Sequence, residues 1–441
     1  MSSISRILDK CTRSGAEMAE VYNITGNELK ISVRDGKVET VTKAAPGGAA
    51  VRFFSSGRMA FAHTTDISDR AIDELVSRLS NLVTKTSGND NIKLPGPISG
   101  ILDFDIFSPG QAETSTDSKI NYLNNLEQLA LEYDPLIKHS NGTSYTETAT
   151  TLNLANTNGL DISYESTRYK VGLSVAAVKN EEKFPGEGSF SARHFEDLPS
   201  ADEIVDLTAA KAVRLIGGSS VDSGNYEIIF TPGAARSIIW GLIYALNGES
   251  YLKGSSFLAG KEGEKFADSA LSVYDDATMP RGIASRPIDD EGSLSKKLML
   301  IENGTLKTAM YDMKTATKAG ISTTASASRE DYKGFPEIAP SNFYIAAGKD
   351  KVSDVVASCR KGILVETTQG WGLHSITGQY SAGINGILIR NGQSIKPVTN
   401  VTLAASTEDL FRGIGAICDD LTFYNKYNAP SIMIEKMKIG A

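Results

Sequence analysis

Histidine and cysteine, which with carboxylates are the usual zinc ligands of proteins, are scarce in this sequence. Four histidines occur in 441 residues and no two lie within ten positions of each other, so no helix presents two histidines to one metal ion. The three cysteines are odd in number and scattered, which excludes a disulfide framework and is typical of a reducing cytosol. These residues are His63, His139, His194, His374, Cys11, Cys359 and Cys418.

Basic clusters and long apolar segments are also missing. Lys and Arg number 45 against 53 Asp and Glu, which gives a net charge of −8, and no strongly basic run occurs. Nucleic acid is therefore not expected as a partner, because phosphate binding needs clustered positive charge. The longest apolar run, residues 238–246, is too short to cross a bilayer, and residues 1–22 lack the apolar segment of a signal peptide. We expect a cytoplasmic protein with no membrane partner.

The length and the pattern of elements predict an α+β fold in three units. Residues 1–85 read as an N-terminal α+β unit, and residues 86–112, rich in Gly, Pro and Asn, as a linker. Residues 113–220 read as a middle α+β unit packed with the first, and residues 221–441 as a β-rich C-terminal domain. We expect an N-terminal mixed α/β sheet region and a large, mainly antiparallel β C-terminal domain wrapped around a buried central helix.

Local signals define several elements of this fold. Apolar residues at helical spacing predict helices over 2–14, 67–84, 115–133 and 201–216. Asp-Gly, Ser-Gly and Asn-Gly pairs between apolar segments predict tight hairpins at residues 35–36, 56–57, 303–304 and 391–392. Thr231 followed by Pro232 is a helix start, and it begins the central helix that runs to about Leu246.

Four motifs in the C-terminal domain recur together in one known family. They are Gly254–Gly260 with Gly263-Glu264, Gly282–Gly292 with its Asp-Asp-Glu-Gly, Ile301–Gly304, and Thr377–Gly386. In order and spacing the sequence resembles the TldD/PmbA family, once named modulators of DNA gyrase and now considered metalloproteases. The resemblance covers residues 226–435 best, and the order of earlier elements also fits.

The resemblance implies that the metal-binding residues of the family are absent from this chain. The TldD-type subunit carries His-Glu-x-x-x-His on the central helix and a later Cys. Counting back from Gly254 places the two His on Ile239 and Tyr244 and the Glu on Trp240, and the Cys falls near Asn428. The sequence thus resembles the PmbA subunit, also called TldE. No cofactor is expected in this chain, and zinc is expected in a TldD-type partner. The apolar pattern of residues 237–246 predicts that these side chains face packed core.

Other candidate residues each allow two interpretations. Asp289-Asp290-Glu291 is either a carboxylate cluster or a charged turn, and the turn is favoured. His374 either lines a peptide groove or makes structural hydrogen bonds. Tyr380 and Ser381, among glycines, suit either a groove that binds peptide by strand addition or a tight sheet corner. Cys418 is favoured as a buried structural cysteine over a nucleophile.

The sequence predicts a non-catalytic PmbA/TldE-type subunit of a cytosolic metalloprotease complex. By resemblance, the complex is a heterodimer with a TldD-type catalytic subunit that acts on unfolded or small peptides. One alternative is an active metallopeptidase of the same family whose metal site is not recognised. Another alternative is a stand-alone peptide-binding homodimer without proteolysis.

Overall fold

The structure is a computed structural model that describes residues 3–88 and 92–440. Residues 1–2 of the predicted first unit, residues 89–91 of the predicted linker and residue 441 lie outside the described residues. The helices are α1 (Ser3–Arg13), α2 (Asp69–Val83), α3 (Thr116–Glu132), α4 (Ala201–Arg214), α5 (Pro232–Ala245), α6 (Gly248–Leu252), α7 (Met313–Ala319), α8 (Val352–Ser358) and α9 (Thr407–Arg412), with short 3₁₀ turns at Pro109–Glu113 and Phe195–Asp197. Among the described residues, no helix is long and apolar enough to cross a membrane.

The strands fall into an N-terminal and a C-terminal group. The first group is β1 (Met18–Arg34), β2 (Lys37–Ala44), β3 (Gly47–Ser55), β4 (Arg58–Thr64), β5 (Ile137–Asn156), β6 (Asp161–Lys179) and β7 (Glu182–Ala192). The second group is β8 (Gly224–Phe230), β9 (Val273–Asp276), β10 (Lys297–Glu302), β11 (Thr305–Leu306), β12 (Ala327–Ser328), β13 (Glu337–Ile338), β14 (Phe343–Ile345), β15 (Lys361–Leu373), β16 (Tyr380–Arg390), β17 (Gln393–Ala405), β18 (Ile414–Ile417), β19 (Tyr427–Asn428) and β20 (Ile432–Gly440). The α+β class predicted from the sequence is confirmed.

The first seven strands form one antiparallel sheet in the order β4-β3-β1-β5-β6-β7, with β2 paired to β1. β1 pairs with β5 from Glu20 to Val33, so the two predicted N-terminal units share this sheet, while their boundaries stay predictions. The predicted hairpin at Asp35-Gly36 is confirmed, because both residues have positive φ between β1 and β2. The positive-φ pairs at 56–57, 303–304 and 391–392 confirm the other three hairpins.

The two faces of the N-terminal sheet have different neighbours. Val21 and Val51 face one way and form a core with α1 and α2. On the same face, α3 and α4 pack over a second core formed with β5 and β6. Tyr22 and Ala50, one residue along in each strand, face the other way and contact the C-terminal residues Ile288 and Tyr332. The helices therefore cover one face of the sheet and the C-terminal domain covers part of the other.

The C-terminal domain is built on a barrel with a smaller sheet beside it. The strands β17-β16-β15-β8-β20 follow one another, β20 pairs back to β17, and β18 adds to β20. The smaller sheet has the order β11-β10-β9-β14-β19. All pairs in these two sheets are antiparallel except β8 with β15 and β14 with β19. Helix α5 packs on β15 and contributes Ile238, Ile239 and Leu242 to the large core, as expected of the central helix.

A buried ion network connects the N-terminal sheet to the C-terminal domain. Arg52 in β3 lies opposite Glu20 in β1 and donates to both of its carboxylate oxygens, at 2.9 and 2.6 Å. The same guanidinium donates to Glu291 of the C-terminal domain at 3.0 Å, and Arg329 donates back to Glu20 at 3.1 Å. All four side chains are at most 3% exposed. Burial opposes the charge of Arg52, yet Glu20 and Glu291 raise its pKa above the ordinary value.

Replacing Arg52 with alanine is expected to destabilise the protein strongly, because Glu291 would stay buried without its cation and Glu20 would keep only Arg329. We expect the apparent free energy of unfolding to fall by about 3–5 kcal/mol. The matched control is Arg70→Ala, since Arg70 pairs with Glu74 on an exposed face of α2 and should unfold like the wild type. Urea unfolding followed by circular dichroism compares them, and similar losses in both variants would contradict a stabilising role for the buried network.

Candidate functional site

Two close backbone contacts hold helix α5 against strand β15. A Cβ atom on Gly241 would lie 2.3 Å from the carbonyl oxygen of Leu373, and a Cβ atom on Gly372 would lie 2.6 Å from that of Ser237. Gly372 also has a φ of +64°, a conformation that favours glycine. Residues 237–241 of the helix therefore approach residues 372–373 of the strand more closely than other residue types allow.

Helix α5 exposes two of the three positions that the sequence predicts for the metal motif. Ile239 is fully buried, but Trp240 is 41% and Tyr244 is 58% exposed. The prediction that Trp240 and Tyr244 face packed core is therefore wrong. Residues four apart lie on one face of a helix, and this face also carries the partly exposed Arg236. Because both aromatic residues count as apolar, a pattern based on hydrophobicity did not indicate that this face is exposed.

The fourth aligned position, Asn428, lies beside this face in strand β19. The preceding residue, Tyr427, packs edge-on against Trp240 with ring centroids 4.9 Å apart. Asn428 is 6% exposed, and its amide donates to the carbonyl oxygen of Asn425 at 2.6 Å. The structure thus brings β19 against α5, although the assignment of Ile239, Trp240, Tyr244 and Asn428 to the family's metal positions stays a prediction.

The residues at these four positions do not fit a zinc ion. Zinc is held by imidazole, thiolate or carboxylate groups, whereas the helix offers an alkyl chain, an indole and a phenol. Across residues 3–88 and 92–440, no three His, Cys, Asp or Glu side chains converge to hold a metal. No catalytic step through a metal is therefore derived for this chain.

The three predicted groove residues have different environments. His374 is exposed and its Nδ1 lies 3.2 Å from Thr377 Oγ1, in a turn closed by the Gly378 amide donating to the His374 carbonyl at 2.8 Å. Tyr380 is 1% exposed and its hydroxyl lies 2.8 Å from Ser237 Oγ beneath α5. Tyr380 is therefore a core residue, and of its two interpretations the tight sheet corner agrees with this burial. Ser381, the next residue along β16, is exposed and remains a candidate.

The sequence interpretation missed Trp371, whose side chain is 90% exposed. It lies between Gly370 and Gly372, both with positive φ, where β15 bulges away from its register with β16. A bulge of this kind changes the direction of a side chain from the one that the regular alternation of a strand would give it. The Gly-Trp-Gly sequence of residues 370–372 was the available signal.

The Asp-Asp-Glu turn is buried and its carboxylates are bound. Asp289 accepts hydrogen bonds from the amides of Glu291, Ser293 and Ala327 at 3.1, 2.8 and 3.2 Å. Asp290 accepts from the Arg329 amide at 2.6 Å, and Glu291 binds Arg52. These contacts support the interpretation as a turn, one that fastens strand β12 and the N-terminal sheet.

Burial affects the titration of two groups in the C-terminal domain. It raises the pKa of Asp289 to about 7, with a further contribution from Glu291. It also raises the pKa of the Cys418 thiol to about 11, and Cys418 is fully buried and free. This environment supports the structural interpretation of Cys418, because thiolate formation is disfavoured there.

The comparisons with known proteins match the whole of this architecture. Residues 223–441 match the PmbA/TldA metallopeptidase C-terminal domain, residues 110–216 its central domain and residues 19–82 its domain 1. A metalloprotease PmbA homolog of Haemophilus influenzae is 26% identical over 99% of this chain and 95% of its own length. A metalloprotease TldD homolog of the same organism is 24% identical over 95% of this chain and 88% of its own. TldE from Thermococcus kodakarensis shares the fold, with a TM-score of 0.91 at 21% identity over 100% of both chains.

Restoring the family's ligands one at a time is expected to have unequal costs. Ile239→His would lose core packing and bury a polar ring, lowering the free energy of unfolding by about 3–5 kcal/mol. Trp240→Glu and Tyr244→His act at exposed positions, and we expect each to cost about 1 kcal/mol or less. Thermal unfolding of the three single variants measures the difference, and a loss for Trp240→Glu as large as that for Ile239→His would contradict the exposed placement.

Asp289 is expected to make the protein less stable as the pH rises. Its folded pKa of about 7 exceeds the ordinary value of 3.8, so the folded state keeps a proton that the unfolded chain has released between these values. Stability linked to this group is complete below pH 4 and declines by about 1.4 kcal/mol per unit toward pH 7. Asp289→Asn removes the decline, so stability relative to wild type should rise by about 2–3 kcal/mol from pH 5 to pH 7.

The control for this titration is Glu337→Gln, which removes an exposed carboxylate from the same domain. Its stability relative to wild type should stay constant over the same pH range. Urea unfolding at several pH values gives both differences. A flat difference for Asp289→Asn would mean that Asp289 is charged throughout.

Proposed function

This chain belongs to the PmbA/TldD metallopeptidase family, and we propose that it is a non-catalytic PmbA/TldE-type subunit. The observation that carries the proposal is the chemistry of the exposed face of α5. At the positions aligned with the family's general base and second histidine, this face presents the rings of Trp240 and Tyr244. A peptidase of this kind needs a metal that lowers the pKa of a bound water, and these rings cannot hold one.

The partner we propose is a TldD-type chain that supplies the metal. The relatives of this chain include both a PmbA-named and a TldD-named metalloprotease of one organism, Haemophilus influenzae, and the fold is that of a protein named TldE. A subunit that keeps the complete family architecture without metal ligands is suited to shape a substrate chamber and to stabilise an active subunit. We place this complex in the cytoplasm, acting on unfolded or small peptides.

The exposed aromatic residues support a role in contacting peptide or partner. Trp240, Tyr244 and Trp371 present apolar area next to α5 that an isolated chain leaves in water. Aromatic rings of this kind are common among the residues that contribute most to binding. In this proposal, the surface that catalyses hydrolysis in a TldD-type chain serves recognition in this one.

The purified chain is expected to contain less than 0.1 zinc per molecule, roughly the background of an elemental assay, since zinc needs three or four N, S or O ligands. It should not cleave casein, with or without added zinc.

Mixed with the TldD-type chain of the same genome, it should form a complex that cleaves casein, and a chelator should abolish this cleavage. Stoichiometric zinc and chelator-sensitive cleavage that follow this chain alone through purification would identify it as an active peptidase. If the chain instead forms a dimer with itself and does not bind the TldD-type chain, the result would favour the alternative of a peptide-binding homodimer.

A further inference from the structure

A cavity of about 340 Å³ lies between the outer face of the N-terminal sheet and loops of the C-terminal domain. Tyr22, Leu152 and Tyr164 form its floor on β1, β5 and β6. Its other walls come from residues 283–286, residues 328–329 and 340–341, and Lys426 next to β19. The cavity is separate from the exposed face of α5.

The lining of this cavity is strongly cationic. Among the described residues that line it, one carboxylate, Asp290, stands against five basic side chains. The basic residues are Arg168, Arg193, Arg286, Arg329 and Lys426. This concentration of positive charge is unexpected in a chain whose net charge is −8.

The carboxylates nearby are already bound and cannot neutralise all of these cations. Asp290 accepts from the Arg329 amide at 2.6 Å and lies 3.5 Å from Arg286. Glu20, behind the wall, pairs with Arg52 and Arg329. Asp289 is held by three backbone amides. The local anions therefore serve the fold and leave part of the positive charge uncompensated.

Several donors at the cavity have no partner. The side chains of Arg168, which is exposed, and Lys426, which is half-buried, make no hydrogen bond or close ion pair within the part of the chain that the structure describes, and the Lys426 ammonium lies 5.4 Å from the centroid of the Tyr427 ring. The buried Nε atoms of Arg286 and Arg329 likewise have no hydrogen-bond acceptor among the described residues. The side chain of Arg329 is 1% exposed. Buried donors are nearly always satisfied in folded proteins, so the two buried Nε–H groups of Arg286 and Arg329 indicate a hydrogen-bond acceptor that the described residues do not supply.

The electrostatic surroundings of Lys426 agree with this geometry. Burial lowers its pKa to about 8, and the neighbouring Arg286 and Arg168 contribute further, opposed by Asp275 and Asp290. Cations that destabilise one another in this way attract an anion from solution, and a partly buried site screens that attraction less than open solvent does.

We propose that this cavity binds an oxyanion, a carboxylate or a phosphate group, through Arg168, Lys426 and the free Nε–H groups of Arg286 and Arg329. Guanidinium groups suit both ligands, because their paired N–H donors match two oxygens. Ile24, Leu152 and Pro340 line the rest of the cavity, so an apolar group attached to the anion fits beside it. The proposal does not depend on the chain being non-catalytic.

The test is calorimetric titration of the full chain at constant ionic strength, which holds general screening fixed. The probes are inorganic phosphate, a tripeptide that ends in leucine with a free carboxylate, and the same tripeptide with a C-terminal amide. We expect the chain to bind phosphate, the free-acid peptide or both, and not the amide. Binding of phosphate without the peptide identifies a phosphate ligand, and binding of the free acid identifies a carboxylate ligand.

The double variant Arg168→Gln/Lys426→Gln should lose at least tenfold in affinity for whichever anion binds. Because it removes unpaired cations, its unfolding temperature should equal or exceed that of the wild type. Lys170→Gln is the matched control, since Lys170 is exposed two residues from Arg168 on β6 and does not line the cavity. No binding by phosphate or free acid, equal binding of acid and amide, or full affinity in a folded double variant would each overturn the proposal.

Discussion

The contact of Arg52 with Glu20 and Glu291 is the constraint on which the rest of the structure depends. Glu20 and Arg52 face each other on adjacent strands, so the N-terminal sheet alone places these two side chains next to each other. Glu291 then has one place to bind, and its neighbours Asp289 and Asp290 fasten the segment 327–329 through backbone amides. A buried pair of this kind contributes less to net stability than to defining one arrangement, because desolvation offsets much of the attraction.

The same network accounts for the character of the cavity beside it. Fixing Glu291 on Arg52 places Arg286, which precedes the turn in sequence, and Arg329, whose amide binds Asp290, at the edge of the N-terminal sheet. The carboxylates near these two arginines already accept hydrogen bonds within the interface. The buried carboxylates that bind the two domains to each other are thus not free to neutralise the basic side chains that line the cavity.

Sequence patterns predicted the parts of the fold that depend on near neighbours. Asp35-Gly36 and Asn391-Gly392 specify their hairpins because few other pairs adopt positive φ twice in succession, and Ile72, Leu75, Val76 and Leu79 are the buried face of α2. The network could not be predicted, since Arg52 and Glu291 are 239 residues apart. The exposure of Trp240 and Tyr244 was missed for another reason. Hydrophobicity marks a residue as suited to burial, and only the packed structure shows which face of α5 stays partly exposed.

The segment 426–428 relates the α5 surface to the cavity. Lys426 lines the cavity, and Tyr427, the next residue, packs against Trp240. The Lys426 ammonium lies 5.4 Å from the centroid of the Tyr427 ring, so one short stretch of chain contributes to both places. A peptide whose carboxylate binds Lys426 would lie close to Tyr427 and therefore to the aromatic face of α5. Adjacent residues therefore contribute to the proposed anion site and to the face of α5 that carries two of the predicted metal positions, Trp240 and Tyr244.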